Sequence, residues 1–224
     1  MSLLIKQILG WSEVWALLIP LLILFVNKEQ PRYLKPIIIY IYVAFVLNLF
    51  QDIIANLKFT LHFPHWLQTN NYVYNLHSVI RFSLFCFFFI NLRQPFLETV
   101  KKLIPTVFFL FVIINFTFFE DFFNFYLLSS RLLSIEAAFL LFYCLQYYLY
   151  KLLDDQEEAK RPADFWAVTG LTIYVSISFF IFLFQNTLVK QLQHFAITIW
   201  KVHDIAYIIL CIFLAKAFAT TKNG

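Results

Sequence analysis

The feature that most constrains this chain is a series of seven apolar stretches, each close to the length that crosses a lipid bilayer. A membrane-spanning helix needs about 20 predominantly apolar residues. Stretches of this kind occupy about 5–26, 36–57, 72–92, 103–119, 126–150, 164–186 and 195–217. Only 13% of the residues are charged, against about 25% in typical soluble domains. We therefore predict an all-α, polytopic membrane protein, with residues 1–224 forming a single seven-helix transmembrane bundle in contact with the lipid bilayer.

Basic residues between these stretches predict the orientation of the chain, because Lys and Arg accumulate in cytoplasmic loops. The turns after helices 1, 3 and 5 and the C-terminal end contain eleven of them: Lys28, Arg32, Lys35, Arg93, Lys101, Lys102, Lys151, Lys160, Arg161, Lys216 and Lys222. The opposite side contains three: Lys6, Lys58 and Lys190. This asymmetry predicts the N-terminus outside and the C-terminus inside, an arrangement that requires an odd number of spans.

Three other features exclude particular classes of protein or segment. The basic residues are dispersed among short turns rather than collected in one patch, so we expect no nucleic-acid partner despite the net charge of +4. The three cysteines fall inside apolar stretches without C-x-x-C spacing, which is typical of buried thiols. The first stretch lacks a basic segment followed by a small-residue cleavage site, so we expect a retained helix rather than a signal peptide.

Ionisable residues inside the apolar stretches are the strongest indication of a site. At a rise of 1.5 Å per residue, Asp52 lies about 24 Å from the inner boundary of helix 2. Arg81, Glu136 and Asp204 each lie about 14 Å from the outer boundary of their helices. A charge near the bilayer centre costs about 2.5–3.5 kcal/mol on insertion scales. We therefore expect these side chains to face the bundle interior, within the outer half of the membrane.

Helical spacing places several of these residues on common faces. Asn48 and Asp52, four residues apart, lie on one polar stripe of helix 2, and His77 and Arg81 share a face of helix 3.

The seventh helix presents two polar faces. Lys201 and Asp204, three residues apart, share one face. His203 lies on a second face together with Trp200 and Tyr207. The helix therefore combines an acid–base pair with a histidine flanked by aromatic residues.

We interpret these residues as the lining of an outward-facing cavity in a receptor-like protein that binds a small or amphipathic polar ligand. The basic residues would hold an anionic or polar headgroup, the acids would position the bases, and the histidines would give sensitivity to pH or metal. The predicted ligand-binding residues are Asn48, Asp52, His77, Arg81, Arg131, Glu136, Lys201, His203 and Asp204.

Two alternatives remain open. A membrane-embedded, metal-dependent lipid hydrolase would draw its ligands from His77, His203, Asp52 and Glu136, but H-x-x-x-H and H-E-x-x-H spacings are missing. We therefore assign no catalytic residue and leave the cofactor unknown. A structural or assembly subunit of a membrane complex would use the same charges only as ion pairs that join helices.

The last two stretches, "FWAVTGLTIYVSISFFIFLF" and "IWKVHDIAYIILCIFLAKAF", resemble those of uncharacterised bacterial seven-transmembrane regions. Some of those regions are attached to histidine kinases, and the resemblance implies a sensory role in the bacterial inner membrane. This chain ends at "ATTKNG", so we expect a separate cytoplasmic or membrane signalling partner to supply any output.

Overall fold

The computed structural model describes residues 8–57, 69–92, 94–153 and 162–221. Within those ranges, no strand occurs and seven α-helices of 15 residues or more follow one another: α1 Ser12–Val26, α2 Lys35–Leu57, α3 Asn71–Asn91, α4 Glu98–Ile114, α5 Ser130–Leu153, α6 Pro162–Gln191 and α7 Gln193–Thr220. A 3-10 turn, Arg32–Leu34, precedes α2, and a π-helical turn, Asn115–Phe119, extends α4.

Six of these helices, α2 to α7, are long and apolar enough to cross a membrane. The first helix, α1, has the same apolar character but contains 15 residues. Its predicted start at residue 5 lies outside the described residues, as do six of the basic residues used for orientation: Lys6, Lys58, Arg93, Lys160, Arg161 and Lys222. The chain is therefore an all-helical, multi-pass membrane protein.

The predicted boundaries hold best for α2 and α3, which begin and end within one residue of expectation. The fifth helix, predicted over 126–150, begins at Ser130 instead. The preceding segment is apolar but forms a loop, because Asn124 Oδ1 accepts the backbone N–H groups of Tyr126 and Leu127, each at 2.9 Å. Asn71 at the start of α3 donates to two carbonyl oxygens of this loop. Asparagine side chains thus prevent an apolar sequence from continuing the helix.

The last two helices are longer than their apolar stretches. They contain 30 and 28 residues, and Leu192 alone separates them. At 1.5 Å per residue they span about 45 and 42 Å, more than the roughly 30 Å of the hydrocarbon core. Their polar ends therefore project beyond the apolar part of the bundle.

The packing of the bundle is centred on α7, which makes its most extensive contacts with α6 and α1. Gly170 of α6 permits this approach, since a Cβ atom at that position would lie 2.4 Å from Cβ of Phe213. The helix α4 lies at the edge: 17% of its apolar window is buried, against 56% in α3, α5 and α7.

We expect Gly170→Ala to destabilise the protein by forcing α6 and α7 apart. Overpacking of this kind lowers the free energy of unfolding by about 1–3 kcal/mol, more than the helix propensity that alanine adds. Thermal or SDS-induced unfolding in detergent measures the effect. Gly10→Ala is the matched control, because no atom lies within 4 Å of a Cβ atom there; equal stability of the two variants would contradict the packing argument.

Candidate functional site

A buried ion pair joins α3 to α5. The Arg81 guanidinium donates to Glu136 through Nε, 2.5 Å from Oε1, and through Nη2, 2.8 Å from Oε2. Ser78 Oγ donates to Oε2 of the same carboxylate at 2.5 Å, and Arg81 Nη1 donates to the Tyr174 hydroxyl at 2.6 Å. Arg81 is 6% exposed and Glu136 is 1% exposed. Every nitrogen of the guanidinium and both carboxylate oxygens are therefore bonded within the bundle.

A second polar group lies beside this pair, centred on Glu13 of α1. Tyr74 of α3 donates its hydroxyl to Glu13 Oε2 at 3.1 Å, and Asn48 of α2 donates to the Glu13 backbone carbonyl at 2.9 Å. His203 Nε2 lies 3.8 Å from Glu13 Oε1, beyond the length of a hydrogen bond. The other nitrogen of His203, Nδ1, is hydrogen-bonded to Ser178 Oγ at 3.0 Å. Glu13 and His203 thus face each other across a short gap.

Aromatic rings hold both histidines in place. His77 stacks on Tyr40 with ring centroids 5.8 Å apart. Three rings surround His203 at centroid distances of 5.0–5.4 Å: Tyr174, Phe182 and Trp200. Packing therefore restricts both imidazoles, and the hydrogen bond to Ser178 also orients His203.

These side chains enclose a small cavity, to which α1, α3, α5, α6 and α7 contribute. Its polar lining consists of Glu13, Tyr74, His77, Arg81, Tyr174, His203 and Tyr207. The free space is about 10 Å³, about enough for one water molecule. His77 Nε2 is buried and has no hydrogen-bond partner among the described residues.

The charges around the cavity are unequally paired. Arg81 is neutralised by Glu136, whereas no Lys or Arg side chain of the described residues lies within 4 Å of Glu13. Asp52 and Asp204 both interact electrostatically with Glu13. The cavity therefore offers a carboxylate acceptor and two imidazoles rather than a free cation.

Five of the predicted residues take part in this arrangement. His77, Arg81 and His203 line the cavity, Glu136 binds Arg81, and Asn48 holds the backbone beside Glu13. The structure brings them together from four helices.

Three predicted residues lie next to the cavity rather than on its wall. Asp204 is buried and interacts electrostatically with the partly exposed Lys201 and with Glu13. Asp52 is also partly exposed. None of the three is among the residues that line the cavity.

Arg131, which was also predicted to bind the ligand, is not among the residues that line the cavity. Because α5 begins at Ser130, Arg131 falls in its first turn instead of several residues inside the span. Its side chain is exposed, and its guanidinium carbon lies 5.0 Å from the Phe119 ring centroid. The predicted contact of Arg131 with a shared ligand has no support in this geometry.

The predicted set also omitted several residues that build the site. Glu13, Tyr174, Tyr207 and Ser178 all line or support the cavity. Tyr174 and Ser178 lie four residues apart on α6 and are buried, so helical spacing alone could have placed them on one polar face. A search restricted to charged residues passed over α6, which has no acid or base in its central part.

The side chains considered as metal ligands do not form a cluster. Across the described ranges, no group of three or more His, Cys, Asp or Glu residues is arranged to hold a metal ion. His77 and His203 line the cavity, Glu136 is bound to Arg81, and Asp52 lies outside the lining.

Comparison of the chain with protein-family models, with curated proteins and with solved structures finds no match. The function must therefore be inferred from the side chains themselves.

We expect Glu136→Met to destabilise the bundle strongly, because it leaves the Arg81 guanidinium buried without its anion. Removal of one partner of a buried pair lowers the free energy of unfolding by about 3–5 kcal/mol. Replacing both partners, Arg81→Met with Glu136→Met, should recover most of this loss, since apolar residues of similar volume satisfy an apolar site. Reversible unfolding in mixed detergent and SDS measures the free energy of unfolding of the wild type, both single variants and the double variant. These four values form a double-mutant cycle.

The exposed pair formed by Lys102 and Glu98, 2.5 Å apart, is the control for this cycle. Neutralising either of its members should leave the unfolding midpoint unchanged. A double variant whose loss of stability equals the sum of the losses in Glu136→Met and Arg81→Met would show that the two side chains are not coupled across the α3–α5 contact.

Proposed function

We propose that this chain is a receptor-like membrane protein that binds a small polar ligand in the cavity between α1, α3, α6 and α7. The observation that supports this most directly is the cluster of Glu13, His77 and His203 inside the membrane-spanning part of the bundle. Ionisable groups at such depth are costly, and they commonly mark a functional site. His77 Nε2 adds to this support, because it belongs to a cavity-lining residue and has no hydrogen-bond partner among the described residues.

The bonding state of the lining residues favours a ligand that carries a hydrogen-bond donor. Arg81 uses three of its five N–H donors on Glu136 and Tyr174, and the Glu136 carboxylate neutralises its charge, so it offers an anion no uncompensated cation. Glu13 Oε1 is an available acceptor, and the rings around His203 suit a cationic amine. We therefore propose a small amine or amino alcohol as the ligand class.

Ligand binding would change the packing of the helices, because the free space of about 10 Å³ is smaller than any organic ligand. Separation of α1 from α3 and α7 would break the contacts of Glu13 with Tyr74 and His203. A ligand that binds the open arrangement more tightly shifts the population towards it. This supports a sensory role, with output passing to a separate cytoplasmic or membrane partner.

The proposed topology has seven spans, with the N-terminus outside and the C-terminus inside the bacterial inner membrane. The asymmetry of basic residues supports this orientation. In that orientation Glu13 and the cavity lie towards the outer face, which an extracytoplasmic ligand can reach.

Cysteine labelling tests this orientation. Lys190→Cys and Lys102→Cys each place a thiol at an exposed position, towards opposite ends of the bundle. In intact bacterial cells we expect a membrane-impermeant maleimide to label the first variant, and to label the second only after lysis. The native Cys86, Cys144 and Cys211 are buried and serve as the unlabelled background. The reverse pattern would overturn the proposed orientation.

Thermal-shift measurements with a panel of small amines, amino alcohols and matched carboxylic acids test the ligand class. We expect at least one amine to stabilise the wild-type protein in detergent. Glu13→Gln should weaken its affinity about tenfold or more, since a hydrogen bond to a charged group is lost. Glu120→Gln, outside this cavity, is the matched control and should bind as the wild type does.

The result separates the proposal from both alternatives. Stabilisation by acids alone, or equal amine affinity in Glu13→Gln, would contradict the proposed recognition. A structural or assembly subunit is the second candidate, favoured by the complete internal pairing of Arg81 and Glu136. If the chain is such a subunit, the variant with both Arg81→Met and Glu136→Met would no longer bind its partner protein. None of the amines, amino alcohols or carboxylic acids tested would then bind the wild type. Stoichiometric metal that is lost in His77→Ala and His203→Ala would instead favour the lipid hydrolase.

A further inference from the structure

A second cavity lies where α3 leads into α4, about 24 Å along α3 from Tyr74. Its volume is about 330 Å³, and it is lined by Ile90, Gln94, Pro95, Glu98, Lys101 and Lys102. It is therefore far from the Glu13 cavity and much larger.

The ammonium group of Lys101 is the distinctive feature of this cavity. The residue is 4% exposed, and its Nζ donates to the Gln94 backbone carbonyl at 2.7 Å. An ammonium has three donors, and this is its single hydrogen bond among the described residues. Burying a cation without an anion is costly.

Acidic groups of the described residues do not supply that anion. No carboxylate lies within 4 Å of Lys101 there. Glu98 interacts with Lys101 electrostatically, but its Oε1 is bound to Lys102 Nζ at 2.5 Å. Two lysines and one glutamate leave the cavity with a net positive charge.

The backbone around Lys101 is anchored to α5. The Tyr143 hydroxyl donates to the Lys101 carbonyl oxygen at 2.6 Å, and Gln146 donates to the carbonyl of Phe96. The ammonium is therefore presented from a fixed segment rather than from a free loop end.

We propose that this cavity binds a phosphate group, with Lys101 as its principal partner and Lys102 as a secondary one. The cavity lies between the end of α3 and the start of α4, at one end of two apolar spans, where a lipid phosphate would meet the protein. Its walls combine Ile90 and Pro95 with the two lysines, which suits a headgroup joined to a glycerol backbone. Basic pockets between transmembrane helices bind anionic headgroups in this way. A lipid headgroup and a free phosphate share this chemistry.

Binding measurements on the full chain in detergent test the proposal with three probes: dihexanoyl phosphatidylglycerol, dihexanoylglycerol and inorganic phosphate. We expect the phospholipid to bind about tenfold or more tightly than dihexanoylglycerol, which lacks the phosphate. If inorganic phosphate binds as tightly as the phospholipid, the natural source is free phosphate. If it binds more weakly, the source is a lipid.

Variants identify the site. Lys101→Gln should weaken phospholipid binding about tenfold, and Lys102→Gln about twofold, because its side chain is 62% exposed. Glu98→Gln should strengthen binding, since it removes the competing carboxylate. Lys190→Gln, an exposed lysine at the other end of the bundle, is the control and should bind as the wild type does.

Three outcomes would overturn the proposal: equal binding of the phospholipid and dihexanoylglycerol, wild-type affinity in Lys101→Gln, or no gain in Glu98→Gln. If Lys101→Gln does not fold, phospholipid binding by Glu98→Gln tests the proposal. The Glu98 side chain is exposed, so its replacement leaves the packing intact. None of these measurements involves the Glu13 cavity, so failure here leaves the proposed receptor function untouched.

Discussion

The bundle depends on the rule that a charge removed from water must meet a partner inside the protein. Arg81 and Glu136 satisfy that rule together, and Ser78 and Tyr174 complete the bonding of both groups. Because the guanidinium and the carboxylate meet through two parallel bonds, the pair fixes the rotation of α3 relative to α5. Tyr74 on the same helix donates to Glu13 of α1. The helix α3 therefore makes polar contacts with both α1 and α5.

The sequence was sufficient to predict the helices, because helix formation follows from the cost of exposing backbone polar groups to lipid. The sequence did not show which charged residues pair with each other, because ion pairing depends on how each helix is rotated against its neighbours. Glu136 was predicted to support a base, but nothing in its spacing selects Arg81 over Lys201. Arg131 shows the sensitivity to boundaries: a start at Ser130 instead of 126 moves it from the interior to an exposed first turn.

Glu13 illustrates a different limit of sequence analysis. It lies well inside the predicted first stretch, 5–26, but nothing in its spacing indicates which side chain it faces. Packing of α1 against α7 brings it opposite His203. Ser178 and the aromatic rings hold that imidazole in one orientation. A fixed imidazole reduces the entropy lost on binding, although α1 would have to move away from α3 and α7 to admit a ligand.

The two cavities differ in electrostatics for one physical reason. In the Glu13 cavity, Arg81 is paired with Glu136, so the Glu13 carboxylate has no Lys or Arg partner among the described residues. In the Lys101 cavity, Glu98 is paired with Lys102, so the Lys101 ammonium has no carboxylate partner there. Glu13 is held by a hydrogen bond from Tyr74, and Lys101 by its bond to the Gln94 carbonyl. Because a buried polar group without its full set of partners lowers stability, a molecule that supplied the missing partner at either cavity would also stabilise the bundle.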